Sequence, residues 1–263
     1  MVIFTYPLWV RVYLIVIAGV FGLIMGSALH CLAYRMARDQ KWSGSSRSLC
    51  PHCGHTLGIF DLIPLFSWLF LKGKCRYCGE KISWRYPASE ALLALVFITV
   101  VAKFGMTIQC LSALVLCGCL FCLSLVDLEI QIIPDRFLVI PAVTQLTWLF
   151  IDGQLWGVAY GLVHALALGG SVLVLSLIMD KLLHKDTMGG GDIKLLAVLG
   201  LFFGLEECLL LVLIACVAGI LIALLLQKAK PDTPFPFGPA LALAAWVTLI
   251  FGHKIVHWYL GLF

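Results

Sequence analysis

Charge is what this sequence has least of. Asp, Glu, Lys and Arg make up 12% of its 263 residues, against 62% hydrophobic residues and a mean hydropathy of +1.05. That is more apolar surface than a water-soluble core can bury, and it excludes an ordinary soluble domain. Internal repeats and low-complexity tracts are missing too, which excludes solenoids and disordered arrays. No small-residue cleavage site separates the first apolar run from the YRMARDQK that follows it, so this run is expected to remain as an anchor. No strand-to-helix G-x-G-x-x-G fingerprint is present, and without one the residues that would bind a cofactor are unknown.

What is there is a series of apolar runs, at 9–32, 88–103, 108–126, 137–151, 156–179, 193–205, 207–227 and 237–252. A spanning helix needs about 20 mostly apolar residues. The pattern therefore predicts an all-α polytopic membrane protein of about eight transmembrane helices, the fourth and sixth runs being short. If the loop after the first span is cytosolic, three of the 18 Lys and Arg (Arg11, Lys103 and Lys254) fall outside and the other 15 inside, as the positive-inside rule expects. Both termini then face outward. The net charge of +4 reflects this bias and points to no nucleic-acid partner.

Three regions follow: a first transmembrane helix over 1–35, a cytosolic loop over 36–86, and a transmembrane region of about seven helices over 87–263. The KPDTPFPFGP at 230–239 reads as a stiff turn before the last helix. The loop carries CPHCGH at 50–55 and CRYCGE at 75–80. Two Cys-x2-Cys knuckles, each followed by Gly, offer Cys50, Cys53, Cys75 and Cys78 as four thiolates for tetrahedral zinc, in a zinc-ribbon-like arrangement. Such a closed site is structural, having no open position for water. Two disulfides or a redox pair are the competing readings; a reducing cytosol argues against the first and the doubled knuckle against the second. His52 and His55 are available as substitute ligands. Cys117, Cys119 and Cys122, in an apolar run, read as small packing residues.

The few acids in or beside the later runs form a second constellation. SLVDLEIQIIPDRF places Asp127 at the end of the third span, and MGGGDIKLL places Asp192 at the start of the sixth. With the orientation above, both reach the cytosolic face at one depth. Taken singly, Asp192 is an ordinary N-cap and Asp127 a solvated boundary acid. Taken together, two carboxylates in one site share a proton, one acting as base on water and the other as acid on a carbonyl, which is aspartic-protease chemistry. Helix dipoles would leave that proton on Asp127, at a helix end, and the charge on Asp192, at a helix start. Gly189 and Gly191 would let a substrate backbone approach, Gly189 by a turn closed to other residues.

GSALHCLAYR at 26–35, the two Cys knuckles with the intervening DLIPLFSWLFLKGK, DLEIQIIPD and GGGDIK occur in one order. In this the chain resembles the bacterial type IV prepilin peptidases, membrane aspartic proteases of the GxGD type. The resemblance implies removal of the short basic leader of prepilins or type II secretion pseudopilins at the cytosolic face of the inner membrane. Asp127 and Asp192 would be the catalytic pair, with Pro134 and Lys194 in the same motifs. It further implies N-methylation of the new terminus with S-adenosylmethionine. Glu129, Asp135, Asp180 and Asp186 would attract a basic leader while the substrate's apolar body stays in lipid. Glu90, at the head of the second span, is an acid in a costly place. A membrane-tethered zinc module and a proton-coupled transporter are the alternatives. The first leaves the transmembrane acids dispensable, and the second expects paired, interrupted helices that the sequence does not offer.

Overall fold

The structure, a computed structural model, describes residues 2–39, 48–50, 52–185, 187–229 and 235–262, without the side chains of 226–229. Asp186 and part of the expected turn at 230–239 lie outside the described residues. Among the described residues eight α-helices form: α1 Leu8–Ala37, α2 Phe66–Phe70, α3 Arg85–Phe104, α4 Ile108–Ile130, α5 Arg136–Leu183, α6 Gly190–Gly200, α7 Leu205–Ala229 and α8 Gly238–Leu260. Among the described residues, six of these (α1, α3, α4, α5, α7 and α8) are long and apolar enough to cross a membrane. The chain is a multi-pass membrane protein, and its packing divides into two units, Met1–Met106 and Thr107–Phe263.

In the first unit α1 and α3 run antiparallel in backbone contact. A Cβ on Gly22 would lie 2.5 Å from Ala94 Cα, and one on Gly26 would lie 2.9 Å from Glu90 Cα, so the Gly-x3-Gly spacing lets the two helices touch. Between them the knuckles fold as two equivalent turns. Cys50 N–H donates to His55 O at 3.0 Å, Cys75 N–H donates to Glu80 O at 2.8 Å, and bridges pair Leu49 with Thr56 and Lys74 with Lys81. Gly54 and Gly79 close the turns at φ of +68° and +74°, where a side chain would be strained.

In the second unit α4 is the central helix, buried along most of its length and packed on α5 and α8. At 48 residues α5 would be about 72 Å long if straight, more than twice the hydrocarbon thickness. It breaks at Gln154 (φ 52°, ψ −144°), and beyond the break a Cβ on Gly157 would lie 2.6 Å from Leu149 O. The helix therefore folds back on itself, and its two halves correspond to the fourth and fifth apolar runs. The helix that carries most of the sixth run, α6, has only 11 residues, about 16 Å and too short to cross alone. The turn after α6 keeps its backbone satisfied without water: Gln145 Nε2 donates to Leu201 O at 3.1 Å, while Gln145 Oε1 accepts from Ser112 Oγ at 2.8 Å.

Candidate active site

Three helix ends meet where α4 finishes. The Asp127 side chain, 5% exposed, sits one turn before the end of α4, and its Oδ2 accepts the Gly238 N–H at the start of α8, at 2.8 Å. A Cβ on Gly238 would stand 2.7 Å from that oxygen, so the approach is open to glycine alone. Gln131, in the left-handed conformation, ends α4 by donating its N–H to Asp127 O at 3.0 Å. Asp192 lies in the first turn of α6, half-buried, and makes no cap; Gly189 holds the N-cap position. Burial, and after it the Asp127 charge, pushes the Asp192 carboxyl up to about 6. The two acids are thus brought within electrostatic reach of each other, beside the N-termini of α6 and α8.

The supporting residues sort differently from the expectation. Gly189 has φ −65° and ψ 135°, backbone that any residue adopts, so it makes no glycine-only turn. A Cβ there would lie 3.3 Å from Asp192 Oδ2, and what Gly189 spares is this crowding. Gly191 is closer packed: a Cβ would lie 2.9 Å from Ile133 Cβ. Gly190 faces open space. Pro134 O accepts the Phe137 N–H at 3.0 Å and so starts α5. Lys194 Nζ pairs with Asp135 Oδ1 at 2.9 Å, with both side chains more than half exposed. The expected proton on Asp127 rested on dipoles alone; the structure adds burial of both acids and, for Asp127, the Gly238 N–H. Gly238 was missed because it reaches Asp127 from 111 residues away, and only the Pro that follows it marked the spot as a helix start.

In the first unit, the Sγ atoms of Cys50, Cys53, Cys75 and Cys78 all lie within 4.8 Å of one another, and Cys50 Sγ is 3.9 Å from Cys78 Sγ. Tetrahedral thiolates about 2.3 Å from a zinc ion are about 3.8 Å apart, so the four cysteines form a site that fits a metal ion. Backbone N–H groups of Cys53 and His52 pull the Cys50 thiol down to about 6, which readies it as a ligand.

A polytopic helical protein with paired acids at one end of its helices and a four-thiolate loop is thereby defined. Residues 20–104 match the family described as the bacterial peptidase A24 N-terminal domain, and residues 114–224 match the type IV leader peptidase family. A prepilin leader peptidase/N-methyltransferase of Stutzerimonas stutzeri is 35% identical, the match covering 92% of each chain. Its counterpart in Pseudomonas aeruginosa is 34% identical over 91% of each, and that in Aeromonas hydrophila 37% identical over 81% of this chain and 74% of its own. The chain belongs to the type IV leader peptidase family. These matches do not favour the tethered-module or transporter alternatives. No solved structure matches the chain.

Proposed function

We propose that the chain removes the basic leader from prepilins or type II secretion pseudopilins, with Asp127 and Asp192 as the catalytic dyad, and then N-methylates the new terminus. The observation that carries the reading is the convergence of the two acids, from α4 and α6, beside two helix N-termini. One carboxyl holds a proton and the other is charged, because two neighbouring carboxylates do not both ionise readily. The charged acid draws a proton from water as it attacks the scissile carbonyl, and the protonated one donates to the developing oxyanion. Gly238 N–H fixes one oxygen of Asp127 and leaves the other for water, which assigns Asp127 the base and Asp192 the acid.

The dyad end faces the cytosol of an inner membrane in this reading, supported by the Lys and Arg bias of the loops. The four-cysteine loop between α1 and α3 holds structural zinc as a module distinct from the transmembrane protease region, and S-adenosylmethionine supplies the methyl group. Incubating the purified protein with a prepilin and S-adenosylmethionine, and weighing the product by mass spectrometry, tests both activities. The expected product is shortened by the leader and heavier by one methyl group than the bare cleaved chain. An intact substrate would overturn the reading.

A further inference from the structure

The dyad accounts for cleavage and uses no residue of the first unit. That unit contains a cavity of about 650 Å³, lined among others by Ser27, Arg35, Trp68, Tyr86 and Glu90 and by two of the four metal-site cysteines, Cys50 and Cys75. The volume falls in the range of small-molecule sites, about 300–1,000 Å³. Its wall carries an unusual group. Glu90 is 8% exposed, within the first two turns of α3, and among the described residues the donors that reach it are neutral: the Leu65 N–H at 2.7 Å and the Ser27 hydroxyl.

Leu65 presents its N–H from a left-handed backbone, φ 63°, a conformation that is costly for a branched side chain. The lining also carries Arg35, Arg76 and Lys81 with Asp61 and Glu80, but the partners of Glu90 itself are neutral, and a carboxylate so held, at the expense of strain in a neighbouring loop, suits a cationic ligand that offers few hydrogens of its own. A primary ammonium or guanidinium would need several acceptors at once, whereas a sulfonium needs only a nearby negative charge. Trp68 and Tyr86 add flat aromatic faces suited to a purine. Trp68 is held in place, its Nε1–H donating to Ile82 O at 3.1 Å.

We propose that this cavity binds the methyl donor, a purine nucleoside sulfonium, with Glu90 facing the sulfonium charge. The proposal rests on the methyltransferase half of the function given above. In the transfer, a bond forms from the substrate amine nitrogen to the methyl carbon as the carbon–sulfur bond breaks. The electron pair stays on sulfur, and the proton displaced from nitrogen goes to water. The donor therefore carries a charge at sulfur that the spent thioether lacks, and Glu90 distinguishes the two. With Cys50 and Cys75 in the wall, the metal site shapes the cavity.

The test is equilibrium binding of S-adenosylmethionine and S-adenosylhomocysteine to the full-length protein and to Glu90→Gln, which keeps the shape and the acceptor for Leu65 N–H. The expected result is a loss of about tenfold or more in affinity for the sulfonium, as for a truncated buried charge pair. Affinity for the thioether should change little, and leader cleavage should be unaltered. A second variant, Ser67→Phe, fills the cavity and is expected to lose both ligands with cleavage intact. Equal affinity of Glu90→Gln and the unaltered chain for the sulfonium, or an equal loss of both ligands in Glu90→Gln, would overturn the proposal. So would retained binding in Ser67→Phe, or protection of the cavity by a basic leader peptide in place of the nucleoside. If the unaltered chain binds neither nucleoside and transfers no methyl group, the methyltransferase reading itself fails.

Discussion

Three glycines beside the acids differ in what a methyl group would meet, and that difference predicts their effects. At Gly238 a Cβ would stand 2.7 Å from Asp127 Oδ2 and at Gly191 2.9 Å from Ile133, while at Gly190 nothing lies within 4 Å. Gly238→Ala and Gly191→Ala are expected to lower leader cleavage by about a hundredfold, since small misplacements of a catalytic group cost that much. Gly190→Ala should remain within about threefold. Equal activity across the series, measured on protein that still purifies from membranes, would make the glycines a plain linker. The acids predict a pH dependence as well. Burial and the Asp127 charge raise the Asp192 carboxyl to about 6, so its proton is held below that pH and lost above it. In the proposed mechanism cleavage needs the singly protonated pair, so kcat/KM should fall as the pH rises through about 6, with apparent values that belong to the dyad as a whole. A profile flat from about pH 5 to 8 would contradict this.

Elements were legible in the sequence to the extent that lipid contact writes them. Each apolar run lies mainly in helix, the end of the sixth excepted, because composition largely decides whether a segment can lie in hydrocarbon. The return of α5 at Gln154 was legible only as two runs, and the end of α6 was not legible at all. Leu201–Gly204 is as apolar as the helix before it, so hydropathy passes over a turn that is made tolerable by Gln145 of another helix. The Gly22–Gly26 spacing in α1 was readable as a close-packing motif but carries no chemistry to draw attention to it. Its consequence can be measured: Gly22→Leu should destabilise the protein in detergent by about 1–3 kcal/mol, the usual cost of overpacking, while Val20→Leu, at a side chain 52% exposed, should be neutral. Matching thermal midpoints for the two variants would argue against the α1–α3 backbone contact. In the loop, Cys50→Ser with Cys53→Ser removes two of four ligands, and binding energy there is also folding energy. Metal content should be lost, and methyl transfer should fall about tenfold or more, as for disrupted metal sites in general. Cleavage should fall less, because the dyad stands on other helices.

At the scale of the whole molecule, the sparse charge of the opening observation acquires a distribution. Cysteines and basic residues gather in the loop between α1 and α3, and Asp127 and Asp192 sit at one end of α4 and α6, helices whose only other charged residues are Glu129 and Lys194. Sequence motifs named those acids, but their environment came from tertiary structure, above all from the Gly238 N–H of α8. The central claim is that Asp127 and Asp192 form one proteolytic dyad independent of the metal loop. The most direct measurement is to assay Asp127→Asn and Asp192→Asn side by side for leader removal, metal content and methylation of an already trimmed pilin. Cleavage is predicted to fall in both by about a thousandfold or more, as it does when members of a catalytic unit are removed, while metal and methyl transfer persist. Cleavage retained in either variant, or metal lost with it, would contradict the claim.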